Sequence, residues 1–88
     1  MIEKELQIIN KNGLHARPAA MLVKTTGKFK SNVWISKDGY EVNGKSIMGV
    51  MTLAAEPGSI ITVKVDGEDE KEAMAAIEQL LQDKFFEE

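Results

Sequence analysis

The chain has 88 residues, enough for one domain with one modest core, and its 43% hydrophobic and 28% charged content is typical of a globular protein. It has no cysteine, which excludes a disulfide framework or a thiolate metal site, and a net charge of −3, which does not indicate nucleic acid or a membrane surface as a partner. No apolar run approaches the ~18 residues that span a bilayer and the N-terminus lacks a secretory pattern, so we expect a cytoplasmic protein without direct membrane binding.

The first predicted elements are a strand, a loop and a helix. Apolar and polar residues alternate over residues 2–9, which predicts a half-buried strand. Asn10 to Gly13 form a loop, and a helix follows over Ala16–Thr26, with Pro18 tolerated in its first turn. We expect this helix and the residues just after it to bury Ala19, Leu22, Val23 and Phe29.

A hairpin and a short helix are predicted next. Short strands at 33–36 and 40–43 flank Asp38-Gly39, a strong signal for a tight hairpin turn. Ser46 then has the position of an N-cap for a helix from Ile47 to about Leu53.

The last predicted elements are a strand and a longer helix. Residues 60–65 are the most strand-like run in the chain, after a turn at Pro57-Gly58. Asp69 with Glu72 three residues later predicts a capping-box variant at the start of the final helix. The order βαββαβα, with polar faces on the strands, predicts an antiparallel sheet covered on one face by helices, which is a two-layer α/β (α+β) open-faced β-sandwich.

His15, the only histidine of the chain, is the candidate functional residue. It stands with Arg17 at the start of the first helix, where unpaired backbone N–H groups favour an anion. A neutral imidazole nitrogen is a nucleophile towards phosphorus, the N–H groups of Ala16 and Arg17 suit phosphoryl oxygens, and the guanidinium adds charge-assisted bonds. The alternative is that His15 merely precedes or caps a helix and Arg17 is a solvated charge.

A second feature is the apolar character of residues 47–53. If Val50 and Leu53 pack on the sheet, an exposed patch remains, and methionine suits surfaces that meet several partners. The patch would consist of Ile47, Met48 and Met51. The alternative is that all of these residues belong to the core. A second stripe beside His15 comprises Ala16, Ala20 and Lys24. Trp34 has the parity of the outward face of its strand.

Two motifs, residues 13–19 and residues 45–51, resemble the HPr family, the histidine-containing phosphocarrier proteins of the bacterial sugar phosphotransferase system. The resemblance covers the whole chain as one domain over residues 1–88. It implies strand order 1-4-2-3 with three helices, phosphorylation of His15 on Nδ1, and assistance from Arg17. It also implies a relay protein rather than an enzyme, without cofactor or metal, that accepts the phosphoryl group from Enzyme I and passes it to the A domains of sugar-specific permeases. The expected docking residues are Ala16, Arg17, Ala20, Lys24, Ile47, Met48 and Met51.

Ser46 is similar to the serine that HPr kinase/phosphorylase modifies in some members of this family. A phosphate there would place roughly two negative charges beside the apolar patch and oppose docking. Alternatives to the sugar carrier are a regulatory module that binds catabolite control protein A through phosphorylated Ser46, a nitrogen-branch phosphocarrier, and a ferredoxin-like ligand-binding domain. We expect a monomer.

Overall fold

Four antiparallel strands form one sheet in the computed structural model, which describes residues 1–87. The strands are β1 (Ile2–Gln7), β2 (Asn32–Lys37), β3 (Tyr40–Asn43) and β4 (Ile60–Asp66). Their order in the sheet is β1-β4-β2-β3. This confirms the predicted 1-4-2-3 topology and the open-faced sandwich.

Three α-helices cover one face of the sheet: α1 (Ala16–Thr26), α2 (Ile47–Thr52) and α3 (Glu70–Gln82). A short 3₁₀ turn (Lys84–Phe86) follows α3. The helix α1 has the predicted bounds, and it buries Ala19 and Leu22 completely, while Val23 and Phe29 are only partly buried. The apolar side of each helix therefore faces the sheet, as the sequence pattern predicts.

The core lies between the helices and one face of the sheet because the strands alternate in burial. In β4, Ile61, Val63 and Val65 are buried, while the residues between them are partly exposed. The register places Ile35 opposite Val63. The helix α3 contributes Ala73, Ile77, Leu80 and Leu81 to the core, and they lie at helical spacing on one of its faces.

The other face of the sheet is open. Trp34 lies on it, half-buried between Asn43 and Lys64 on the neighbouring strands, as its parity predicts. The tight turn at Asp38-Gly39 has positive φ at both residues, which is the geometry that matches the twist of a hairpin. Within residues 1–87, no helix is both long and apolar enough to cross a membrane.

The predicted first strand is two residues too long, since β1 ends at Gln7. Ile8, just beyond the strand, still forms two backbone hydrogen bonds to the turn before β4. Its N–H donates to the Ser59 carbonyl at 2.8 Å, and its carbonyl accepts the Gly58 N–H at 2.7 Å. These bonds hold the beginning of the loop that leads to His15.

The predicted capping box at α3 is wrong. Asp69 is the N-cap residue, but its side chain forms no capping bond. Its carboxylate instead accepts the backbone N–H groups of Lys30 (2.8 Å) and Ser31 (2.9 Å) and the Ser31 hydroxyl. The turn before β2 thus offers the Asp69 carboxylate three donors and binds it in place of the N–H groups at the helix start. Glu70, the first residue of the helix, accepts the N–H of Gly67 at 3.1 Å.

Candidate functional site

The backbone around His15 is fixed from both sides. On the N-terminal side, Leu14 is buried in the core and donates its N–H to Ala55 at 2.9 Å. Gly13 precedes it with a φ of +60°, and a Cβ there would lie 2.3 Å from the Ala55 carbonyl oxygen, so both the conformation and the space require glycine. On the C-terminal side, α1 begins at Ala16. His15 is therefore presented at a defined point although it lies between a loop and a helix.

The His15 side chain is exposed and is not used for capping. The residue is the N-cap of α1 in extended conformation, its carbonyl accepts the Ala19 N–H at 2.8 Å, and its imidazole forms no capping hydrogen bond. His15 thus caps the helix through its backbone only. The imidazole nitrogens are left for chemistry.

The start of α1 offers two open backbone donors. Ala16 and Arg17 are its first two residues, and their N–H groups have no acceptor within the helix. Pro18 has no N–H, and the Ala19 N–H is already bonded to His15. No acidic residue lies in the first turn to compete for an incoming anion. The geometry at His15 fits an anion that is attached to the imidazole itself.

Arg17 is exposed and borders a groove beside α1. The groove has a volume of about 400 Å³, and its far wall is the segment that follows α3, including Phe86 and Glu87. Among residues 1–87, Arg17 and His15 take part in none of the ion pairs between side chains. In the same part of the chain no three His, Cys, Asp or Glu side chains converge as metal ligands. The guanidinium is consequently available to an external anion.

The helix α2 exposes the apolar side chains that the sequence predicted. Ile47, Met48 and Met51 have exposed fractions of 44%, 78% and 41%, whereas Val50 and Leu53 are buried. The alternative that the whole run belongs to the core is therefore wrong. Ser46 is the N-cap, as predicted, and its Oγ accepts the Gly49 N–H at 3.1 Å.

The helices α1 and α2 pack against each other, and both expose residues of the predicted stripes. Ala16, Ala20 and Lys24 are exposed on α1 and form a stripe at helical spacing. Together with Ile47, Met48 and Met51 they define what we call the docking surface. Both stripes thus lie at the surface of two helices that are in contact, the first of which begins directly after His15.

The sequence did not predict the role of the segment after α3. Phe85 is buried, and Glu87 accepts hydrogen bonds from the loop before His15. The only signal in the sequence is the apolar Phe85-Phe86 pair directly after the helix, which indicates that the chain turns back onto the core.

The fold and the site together define a small open-faced sandwich with one exposed histidine at the start of a helix whose first N–H groups are open. The family model for the "PTS HPr component phosphorylation site" matches residues 2–83. The chain belongs to the HPr family.

Individual relatives agree with this membership. The phosphocarrier protein HPr of Xylella fastidiosa is 55% identical over 87 residues, which are 99% of this chain and 98% of the relative. The crystal structure of HPr-C-His from Thermoanaerobacter tengcongensis superposes with a TM-score of 0.96 at 48% identity, covering 100% of this chain and 99% of that one. The Bacillus subtilis catabolite repression protein Crh, solved as a domain-swapped dimer, has 42% identity and a TM-score of 0.76, covering 96% and 97%.

Proposed function

We propose that this protein is a phosphoryl carrier of the sugar phosphotransferase system and that His15 is the residue that carries the phosphoryl group. The observation that supports this most is the exposed imidazole, which forms no hydrogen bond within residues 1–87, next to two open N–H groups. Residues 1–88 would act as one unit. We expect it to work in the cytoplasm as a monomer, as a relay that is itself modified, with no cofactor or metal.

The proposed transfer step uses this site, with Nδ1 as the attacking atom because the resemblance to the family implies it. The Nδ1 lone pair of His15 attacks the phosphorus of the donor, a P–N bond forms, and the bond from phosphorus to the donor's leaving group breaks with its electron pair on that group. The N–H groups of Ala16 and Arg17 and the Arg17 guanidinium hold the phosphoryl oxygens. Release to an acceptor is the same step in reverse, with the acceptor nucleophile in place of the donor.

The test is phosphorylation by Enzyme I and phosphoenolpyruvate, with His15→Ala as the decisive variant. Wild type should gain one acid-labile phosphate, and the variant should gain none. Arg17→Ala should slow transfer by roughly 10–100-fold, since a hydrogen bond to a charged group contributes about 1.5–3 kcal/mol. Lys71→Ala, which removes an exposed cation from α3, is the matched control. Label that survives in His15→Ala would refute the assignment.

We further propose that Enzyme I and the A domains of sugar-specific permeases bind in turn to the docking surface. An apolar patch on an otherwise polar protein suits a partner that buries it. Met48→Glu should raise the KM for Enzyme I with little change in the fold, because Met48 is 78% exposed. Tyr40→Glu, at an exposed apolar residue of the hairpin, is the control. Equal KM values for the two variants would argue against this surface.

A second candidate function is regulation through Ser46, favoured by the position of its Oγ at the start of α2 beside the docking surface. HPr kinase/phosphorylase would add the phosphate, which the helix start accommodates. The modified form would bind catabolite control protein A and dock poorly on Enzyme I. Binding of the regulator to kinase-treated wild type, but not to kinase-treated Ser46→Ala, would support this role, and equal binding would refute it. Transfer of the phosphoryl group from His15 to an acceptor other than the A domains of sugar permeases would favour the nitrogen-branch alternative.

A further inference from the structure

The segment after α3 is held in an unusual conformation. Lys84, Phe85 and Phe86 have φ values of 54°, 54° and 57°. Residues with side chains avoid this left-handed region, and three in succession occur only where surrounding contacts impose it. Phe85 is one such contact, since its ring is buried in the core. Phe86 is 68% exposed and is not held by packing.

The turn ends on Glu87, whose carboxylate binds the loop in front of His15. One oxygen accepts the side-chain amide of Asn10 at 2.9 Å, and the other accepts the backbone N–H of Asn12 at 3.3 Å. Burial alone raises the pKa of the Glu87 carboxyl, but the hydrogen bonds from Asn10 and Asn12 outweigh it, and the pKa lies below its ordinary value. The carboxylate is therefore charged at neutral pH and makes the stronger, charge-assisted kind of bond.

Asn10 links this carboxylate to the backbone next to His15. Its amide nitrogen also donates to the Gly13 carbonyl at 2.8 Å, so one NH₂ group joins Glu87 to the residue that precedes Leu14. Both partners are acceptors, which fixes the orientation of the amide. The Asn10 oxygen, in turn, is buried without a hydrogen-bond partner among the described residues. A buried polar atom without a partner is costly and calls for an explanation. Here the same amide group makes two hydrogen bonds that join Glu87 to the loop, and these bonds offset that cost.

The same segment forms the wall of the groove that Arg17 borders. Asn12, Arg17, Phe86 and Glu87 all line this groove. Loss of the Glu87 contacts would therefore loosen the loop before His15 and open the groove at Arg17.

We propose that Glu87 is a positioning residue for phosphoryl transfer, which acts through Asn10 and Asn12 to hold the loop that presents His15. This inference rests on the proposed function of His15. Glu87 touches neither the imidazole nor the guanidinium by any hydrogen bond or ion pair among the described residues, so its effect is on geometry rather than on charge at the reacting atoms.

The test compares Glu87→Ala, Glu87→Gln and the control Glu5→Ala, which removes an exposed carboxylate from β1. Two quantities are measured on the full chain: amide hydrogen exchange at Asn12, and kcat and KM for phosphorylation by Enzyme I. Glu87→Ala should speed Asn12 exchange up to about tenfold and lower kcat roughly tenfold with KM within about twofold, because misplacement of a reacting group affects the bound complex. Glu87→Gln should fall between, since an amide oxygen accepts one of the bonds without charge.

Two results would overturn the proposal. Asn12 exchange equal to that of Glu5→Ala would mean that the contact does not order the loop. Faster exchange with unchanged kcat would mean that the loop's order does not matter for transfer. Equilibrium urea unfolding of the same variants guards against a general folding defect, because Glu87→Ala and Glu87→Gln should remain folded under the conditions of the kinetic assay. If wild type itself takes no phosphate, the proposed function fails. The exchange comparison then still measures whether the Glu87 contacts order the loop before His15.

Discussion

Replacement of Gly13 by alanine tests how the loop before His15 is held. The left-handed φ of +60° costs a residue with a side chain about 1–2 kcal/mol of folding free energy. Alanine also lowers the conformational entropy of the unfolded chain, which offsets about 0.4–1 kcal/mol of that cost. The new methyl group would also lie 2.3 Å from the Ala55 carbonyl oxygen. That oxygen accepts the N–H of Leu14, so moving it leaves a buried donor unsatisfied, at about 1–3 kcal/mol more. Gly13→Ala should therefore destabilise the protein by about 2–4 kcal/mol.

Gly39→Ala is the matched control because Gly39 also has a positive φ, +84°, but nothing lies within 4 Å of its added Cβ. It carries the backbone cost without the contact and should lose about 1 kcal/mol. Both variants are measured by equilibrium urea unfolding and linear extrapolation. Phosphorylation by Enzyme I should fall in Gly13→Ala alone, since Leu14 moves with the loop. A Gly13→Ala variant no less stable than Gly39→Ala would refute the reasoning, because the Ala55 contact would then have no energetic effect.

Two further predictions concern the rest of the fold. Hydrogen bonds, first from the Ser31 hydroxyl and then from the Lys30 N–H, lower the pKa of Asp69 from 3.8 to about 2. The folded-state pKa is below the unfolded one, so this stabilisation is complete above pH 3.8 and is lost as the pH falls through about 2. Asp69→Asn should be less stable at pH 7, and its deficit in urea unfolding should shrink over that interval; a deficit independent of pH would contradict this. Ala54→Gly should stabilise the fold by about 1 kcal/mol and raise the melting temperature by about 4–8 °C, since Ala54 has a φ of 50°, whereas Ala75→Gly within α3 should lower it; a lower value for Ala54→Gly would be the contrary result.

Most of the fold was predictable because local signals agreed with the long-range packing. The alternation in β4, the Asp38-Gly39 turn and the apolar stripe of α1 each point to one structure, and the structure has all of them. The capping box failed because it is a local rule, while Asp69 bonds to Lys30 and Ser31, which lie 39 and 38 residues away in the sequence. No pattern within the α3 sequence contains those partners.

The same distinction separates the parts of the candidate site. His15 and Arg17 were predictable because a helix start, a proline and a lone histidine occur within six residues. Glu87 was not, because it meets Asn10 across 77 residues, and nothing in its own neighbourhood distinguishes it from an ordinary surface acid. Three left-handed residues without a glycine gave no signal either, since their conformation is imposed by tertiary contacts.

The division between a fixed backbone and an open side chain accounts for how His15 would both take and release a phosphoryl group. The backbone is held by Leu14 on one side and by α1 on the other, so the imidazole needs no internal partner to be positioned. The phosphoryl oxygens would meet two N–H groups and one exposed guanidinium, all in contact with water. A buried cation or several more donors would hold the resting phosphohistidine more tightly, and each such bond of about 1.5–3 kcal/mol that is not kept in the transition state would slow departure of the group by one to two orders of magnitude. A shallow site therefore suits a relay better than a deep one, and it leaves the remaining stabilisation to each partner in turn.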